Sequence, residues 1–432
     1  MATIVEIIER YILPVTNKLG SNKHMAAVRS GIIATLPLTI IGSFFVILLN
    51  IPNEAYMKWI APYRATIDIP FRYTVGLMAL YCAFSIASCL AKSYKLDQMT
   101  AGLLSVMAFA VSCIPYTQVP KIEGVINGGR WVNLAGFNAG SLFGAILCAI
   151  ISVEIYRYMK EKNIMIKMPD GVPEGVANSF AALYPTLAII MVFWVVRYIF
   201  NVDINELLTK LLMPLKSVLV GNNLFGGLLT VFLIVFFWVF GIHGPAILGP
   251  IIRPMWDSAI AENMEVFAAT GNAHELPYLF TEQFLQWYVW IGGAGSTLAL
   301  SFLFLFSKSK YLKSLGKMTV VPGLFNINEP MIFGAPIVMN PILAIPFMVA
   351  PLVTTTLSYF VTRAGFIPLM MARLPFTVPA PIAAIISTNW SVGAGVLVMV
   401  NFGISLLIYY PFFKRYERET TENIELENAI EN

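Results

Sequence analysis

Charge-free stretches dominate this chain. Runs long enough to cross roughly 30 Å of hydrocarbon, about 20 residues each, occupy Gly31 to Leu49, Thr74 to Ala91, Met99 to Tyr116, Gly136 to Val153 and Ala177 to Val196. Further runs follow at Asn222 to Ile242, Phe284 to Phe306, Ile332 to Thr362 and Leu374 to Phe413. The last two exceed the length of a single crossing, and the excess predicts re-entrant pieces within them.

The loops between the runs give the orientation, because cytoplasmic loops carry an excess of Lys and Arg. Lys92 and Lys95, the group from Arg157 to Lys167, the lysines from Lys308 to Lys317, and Lys414, Arg415 and Arg418 all belong inside by this rule. Starting inside, two spans return the chain at Lys92 and four return it at Lys160. Six spans bring it inside near His243, yet the run ending at Lys308 has to start outside. A further crossing is therefore hidden within Gly244 to Gln283. Pro245, Pro250, Pro254, Arg253, Asp257, Glu262 and Glu265 make that segment read as a broken hairpin plus a short helix. The expected fold is an all-α polytopic membrane protein with about 10 transmembrane helices, re-entrant hairpins, and both termini cytoplasmic.

Between the halves the pattern changes. Asp203, Glu206 and Lys210 recur at three and four residues and share one helical face, while Leu207, Leu208, Leu211, Leu212 and Leu215 cover the other. Such a helix lies in the interface plane. It divides the chain into an N-terminal membrane domain (1–200), an interfacial linker helix (201–221), a C-terminal transport domain with re-entrant hairpins (222–413) and a solvated cytoplasmic tail (414–432).

Composition agrees: of 432 residues, 58% are hydrophobic and 12% charged, with mean hydropathy +0.74. That is too much apolar surface for a soluble fold of this size. The formal net charge of +4 comes from basic residues scattered over loops, with no single basic face for nucleic acid. Residues 1–31 intersperse Glu6, Glu9, Arg10, Lys18, Lys23 and Arg29 among short apolar runs, which predicts an amphipathic cytoplasmic lead-in with no cleavable signal peptide. Cys82, Cys89, Cys113 and Cys148 lie in or beside apolar spans without paired spacing, so they read as small buried hydrophobes, with neither a metal site nor a disulfide frame.

Chemistry concentrates in the second half. No G-x-x-x-x-G-K-[ST] phosphate loop is present, so uphill transport needs an ion gradient or an outside phosphate donor. The stretch Val321-Pro322-Gly323-Leu324-Phe325-Asn326-Ile327-Asn328-Glu329-Pro330 sets a carboxylate among prolines, glycine and two amides, just before charge-free sequence from Met331 to Thr362. An acid in hydrocarbon is costly and commonly marks a substrate path. Glu329, Asn326 and Asn328 offer polar contacts suited to a sugar; a structural acid tied to backbone amides is the plainer reading of Glu329. His243, in Gly241-Ile242-His243-Gly244-Pro245, ends an aromatic run, and an imidazole exchanges a proton near neutral pH; alternatively it is a helix-end histidine bonded to a carbonyl. The tryptophans of the second half read mostly as belt or core residues. Trp390 is the exception, because Thr388-Asn389-Trp390-Ser391 interrupts a charge-free run, and its ring suits stacking on a sugar. Arg253, between Pro250 and Pro254, fits either a phosphate or the lipid headgroups. Glu154 reads as a helix-end acid paired with Arg157, and His24 and His274 have no assigned role.

With these residues in view, the chain resembles the membrane-spanning IIC permease of the bacterial phosphotransferase system, in the lactose, cellobiose and diacetylchitobiose family. The resemblance rests on the histidine within Gly241 to Pro245, the Val321 to Pro330 stretch about 85 residues later, and the two-part layout around an interfacial helix. It implies location in the bacterial cytoplasmic membrane and group translocation of a disaccharide, β-linked as in cellobiose or diacetylchitobiose. The sugar 6-hydroxyl is then phosphorylated from the phosphocysteine of a separate IIB protein, and phosphoryl transfer occurs only with that partner. It implies further that His243 and Glu329 lie near that hydroxyl, that no cofactor is held, and that the chain pairs as a homodimer through its first-half helices. Small residues such as Gly136, Gly140 and Gly144 permit close packing of the fourth span. The alternative to group translocation is an ion-coupled secondary sugar transporter, without phosphorylation, in which Glu329 and His243 bind a proton or the solute.

Overall fold

The computed structural model describes residues 22–431 except 52, 114–115, 120–128, 167–168, 170–179, 241–243, 336 and 338–339. The first 21 residues of the lead-in and His243 therefore lie outside the described residues. The chain is mostly helical. In the first half α1 (Lys23–Ala34), α2 (Leu36–Leu49), α3 (Glu54–Ile60), α4 (Arg64–Thr74), α5 (Met78–Ser93), α6 (Gln98–Cys113), α7 (Leu142–Glu161) and α8 (Leu183–Trp194) follow one another. The amphipathic α9 (Ile204–Leu219) comes next, then α10 (Leu224–Val239) and α11 (Gly244–Thr270). After these come α12 (Glu282–Phe284), continued by a π-helical turn over Leu285–Val289, α13 (Leu298–Leu305), α14 (Lys310–Leu324), α15 (Glu329–Gly334), α16 (Pro341–Arg363), α17 (Ala380–Ser387) and α18 (Val392–Glu431).

Among the described residues, five helical runs are long and apolar enough to cross a bilayer: Lys23–Leu49, Glu54–Ser93, Leu142–Glu161, Ile342–Arg363 and Val392–Glu422. Shorter apolar helices occupy Gln98–Cys113, Leu183–Ile199 and Leu224–Val239. Within the last two charge-free runs, the short helices α15 and α17 precede α16 and α18.

Three features differ from the sequence reading. The segment after His243 is not a broken hairpin: α11 is one helix of 27 residues, about 40 Å long at 1.5 Å per residue. Pro245 sits in its first turn, where a missing N–H costs nothing, and the later prolines do not end it. The run Phe284 to Phe306 is not one continuous span. Gly292, Gly293, Gly295 and Ser296 all take positive φ, a conformation that halts a helix. Lastly, the fold is not purely α: β1 (Tyr116–Val119) and β2 (Gly129–Val132) form an antiparallel pair with Tyr116 opposite Val132, as their β-branched and aromatic residues favour.

The chain divides into two compact units, one comprising 1–42, 68–214 and 249–261, the other 43–67, 215–248 and 262–432. In the first, α5 packs on α1, α6 and α7, and α6 packs on α7. Lipid tails are as apolar as leucine, so such helices associate through close van der Waals contact and interhelical hydrogen bonds. Small residues meet that need: Ala79, Cys82, Ala83, Ala87, Ala101, Ala108, Ala145, Cys148 and Ala149 are all buried here. Ser85 Oγ donates to Gly31 O at 2.8 Å and Ser105 Oγ to Ala83 O at 2.7 Å, tying α5 to α1 and α6 to α5. Gly144 on α7 faces Cys113 Sγ and Asn205 Oδ1, so its smallness serves packing inside this unit. The four cysteines are free, three of them buried. At the end of α7, Glu154 pairs with Arg157 at 2.8 Å and also meets His24 at 2.8 Å.

On α9, Leu207 and Leu211 are exposed while Lys210 pairs with Glu206 at 2.6 Å. In the second unit α10 packs on α16, and α18 packs on α13, α16 and α17. Tyr409 on α18 donates to Gly295 O at 2.7 Å. Asn401 on the same helix donates to Tyr288 O at 2.9 Å and to Ser358 Oγ at 2.8 Å, satisfying a carbonyl within the π-helical turn.

A side chain at Gly31 tests the close approach of α1 and α5, because a Cβ there would stand 2.6 Å from Ile86 Cα. Gly31→Leu is expected to destabilise the purified protein by about 1–3 kcal/mol or more. A thermal unfolding curve in detergent should shift down, and an unchanged midpoint would contradict this packing.

Candidate functional site

The site region is built where helices of the second unit are interrupted. Asn326 stands in the turn after α14 with φ 61°, a left-handed conformation that asparagine tolerates better than most residues. Its side chain serves three backbone groups: Oδ1 accepts from Gly292 N at 3.2 Å, and Nδ2 donates to Phe376 O at 2.7 Å and Val378 O at 3.1 Å. One buried amide thus joins the α14–α15 turn, the glycine loop and the segment before α17. Asn328 does similar work, Nδ2 donating to Ala294 O at 2.8 Å. The structure brings these two predicted residues together and commits their amide groups to backbone.

The glycine loop has no room for side chains. A Cβ on Gly293 would lie 2.4 Å from Asn328 Cγ, and one on Gly295 would lie 2.2 Å from the Phe347 ring. Thr297 Oγ1 closes the loop on Gly292 O at 2.7 Å, and Ser296 Oγ bonds Val289 O at 2.6 Å. Glu329 opens α15 directly after this cradle; its side chain, like the whole of His243, lies outside the described residues. Around His243, α10 ends at Val239 and α11 begins at Gly244. A Cβ on Gly244 would come within 2.4 Å of Ile234 O, so the second glycine of the histidine motif lets the start of α11 pass close to the backbone of α10.

Trp390 occupies the turn between α17 and α18. Both Asn389 (φ 54°) and Trp390 (φ 63°) are left-handed, and a bulky aromatic in that conformation stores strain, which concentrates at functional sites. The buried Trp390 Nε1 and Asn389 Oδ1 have no hydrogen-bond partner among the described residues. The same holds for Gln283 Oε1, Trp287 Nε1, Tyr288 OH and Ser387 Oγ. Native interiors rarely leave buried polar atoms unpaired, and here several lie on α17, its following turn and the α12 to π-helical stretch, with α17 packed on that π-helical turn. No hydrogen bond joins Trp390 to Asn326 or Asn328. Arg253 is half-buried on α11, in the portion that clusters with the first unit.

Sequence reasoning missed a buried ion pair, Arg373 Nη2 with Glu282 Oε2, both side chains largely enclosed. Arg373 N also donates to Ser43 Oγ at 2.9 Å. Nearby in the chain, Asn263 Nδ2 donates to Tyr278 O at 2.7 Å and Met370 O at 3.0 Å, and its Oδ1 accepts from Tyr278 N at 3.0 Å. A signal did exist: Glu282 and Arg373 are the charges that border the charge-free runs beginning at Phe284 and Leu374. Charges enclosed in a membrane protein pair with one another.

The family model described as phosphotransferase system, EIIC matches residues 29–351. The chain is 39% identical to the putative permease IIC component YwbA of Bacillus subtilis (strain 168), over all of this chain and 98% of that protein. It is 38% identical to the PTS system cellobiose-specific EIIC component of Geobacillus stearothermophilus, covering 97% of this chain and 95% of the relative. A lactose-specific EIICB component from Staphylococcus aureus (strain N315) is 30% identical over 95% of this chain and 72% of its own length. Among solved structures, the crystal structure of ChbC, the IIC component of the N,N'-diacetylchitobiose-specific system, superposes with a TM-score of 0.89 at 34% identity, covering 97% of this chain and 99% of that one. Interrupted apolar helices, the asparagine-held glycine loop and these likenesses along nearly the whole length converge: this multi-pass membrane protein belongs to the EIIC family of the phosphotransferase system.

Proposed function

We propose that the protein carries a β-linked disaccharide across the bacterial cytoplasmic membrane and presents its 6-hydroxyl to the phosphocysteine of a separate IIB protein. The observation that carries this reading is the polar cradle built from broken helices, in a chain similar along nearly its full length to EIIC components named for cellobiose and diacetylchitobiose. The lactose-specific relatives named EIICB support a IIB partner. The same reading takes about 10 crossings, with both termini cytoplasmic, and a homodimer formed through the first-half helices.

In the proposed reaction the sugar O6 attacks phosphorus in line with the cysteine sulfur. The S–P bond breaks as the O–P bond forms, and the hydroxyl proton passes to His243. Glu329 accepts a hydrogen bond from the sugar and orients the nucleophile, so catalysis is mainly positioning. Asn326 and Asn328 contribute by holding the glycine loop and the backbone ahead of Glu329. Trp390 offers its ring face and its unpaired indole N–H to the disaccharide, and Arg253 is a weaker candidate for phosphate or partner contact.

Reconstituted vesicles supplied with IIB and its phosphate relay should accumulate sugar 6-phosphate; concentration of unmodified sugar by a proton or sodium gradient alone would sink the proposal. Glu329→Gln is expected to weaken disaccharide binding about tenfold or more, the loss of a charge-assisted hydrogen bond, and to lower phosphorylation with it. His243→Gln should reduce the phosphorylation rate by about 10²-fold or more while lowering affinity no further than that. Wild-type rates in both variants would remove these assignments. Asn326→Ala should leave three backbone groups without their partner, destabilising the fold by about 1–3 kcal/mol and raising KM; retention of wild-type stability would show that the amide does not hold the loop.

A further inference from the structure

On the second unit, α10 and α16 leave an open groove of about 760 Å³ with nearly all-apolar walls, lined by Phe225, Leu229 and Phe232 from one helix and Val349, Val353 and Phe360 from the other. The helices run antiparallel here: Tyr359 near the end of α16 donates to Asn222 O, just before α10 starts, at 3.2 Å. Phe225, Phe232, Val349, Val353 and Phe360 are all exposed, so no other part of the chain among the described residues fills the groove. In an apolar helix long enough to cross a bilayer, that surface faces hydrocarbon.

Two measures say what fits. From Val349 to Phe360 the groove follows α16 over eleven helical steps, about 16 Å at 1.5 Å per residue, close to the depth of one leaflet of an about 30 Å hydrocarbon core. The stripe also continues past Phe360 to Arg363. At about 100° per residue, positions 349, 353, 356, 360 and 363 fall within about 80° around the axis, so Arg363 lies on the same stripe about one turn beyond Phe360, where the spanning segment closes. Arg363 is exposed and has neither a carboxylate nor a hydrogen-bond partner among the described residues. A guanidinium binds phosphate with paired N–H donors.

The geometry points to a binding site for one anionic phospholipid, with an acyl chain along α10 and α16 and the headgroup phosphate on Arg363. A chain-deep apolar slot ending in an unpaired cation complements that molecule and no soluble anion.

The test is lipid retention by the full-length protein in detergent, measured by native mass spectrometry against equal amounts of phosphatidylglycerol and phosphatidylcholine with matched chains. Wild type should retain phosphatidylglycerol preferentially, and excess glycerol phosphate should not displace it. Arg363→Gln should reduce that preference about tenfold, whereas Lys310→Gln, at an exposed lysine elsewhere on the same unit, should leave it intact. Val353→Trp, which fills the groove without disturbing the core, should lower retention of both lipids. Equal retention of the two lipids by wild type, an unchanged preference in Arg363→Gln, or an equal loss in Lys310→Gln would overturn the site. So would efficient disulfide crosslinking of Val353→Cys between copies, which would make the groove a protein interface.

Discussion

A backbone that leaves helical geometry at membrane depth exposes N–H and C=O groups that lipid cannot satisfy, and the second unit is arranged around meeting that demand. Asn326 meets three of these groups with one side chain, taking Gly292 N and giving to Phe376 O and Val378 O. Asn328, Thr297, Ser296, Tyr409 and Asn401 satisfy further carbonyls in and around the glycine loop and the π-helical turn. Because its carbonyls are paired and its glycines pack directly against Leu298, Asn328 and Phe347, the loop is held in one conformation.

The first unit solves the opposite problem. Its helices are largely regular, so backbone groups pair internally, and what remains is to hold cylinders together without a hydrophobic driving force. Gly31 against Ile86, Gly102 against the Phe84 ring, and hydroxyls reaching across to Gly31 O and Ala83 O supply that cohesion. The second unit, by contrast, keeps a glycine loop, a π-helical turn and the enclosed Glu282–Arg373 pair in its interior.

Much of this was legible in the chain. The charge-free runs gave the helices of the first half, and the interruptions at Val321 to Pro330 and Thr388 to Ser391 fell where the structure has turns. Prolines misled at α11, because Pro245 lies in a first turn and the later two are accommodated without ending the helix, something local propensity does not reveal. The glycine loop was hidden for the reverse reason: its residues are uncharged, so Phe284 to Phe306 passed as a single span. The Glu282–Arg373 pair joins positions 91 residues apart, and pairing at that separation is a product of tertiary packing. Asn326 and Asn328 were recognised as important through their polarity, but only the fold shows their amides engaged with backbone.

The π-helical turn over Leu285–Val289 bears on how the family can vary. Such a turn accommodates one residue more than an α-helical turn does. Removing that residue would restore ordinary periodicity and rotate all that follows by about 100°, carrying Gly292 and Ala294 away from Asn326 and Asn328. The spacing between Gln283 and Gly292 is therefore constrained as tightly as any side chain in the site: substitutions can be absorbed there one at a time, but a single-residue insertion or deletion changes which atoms meet.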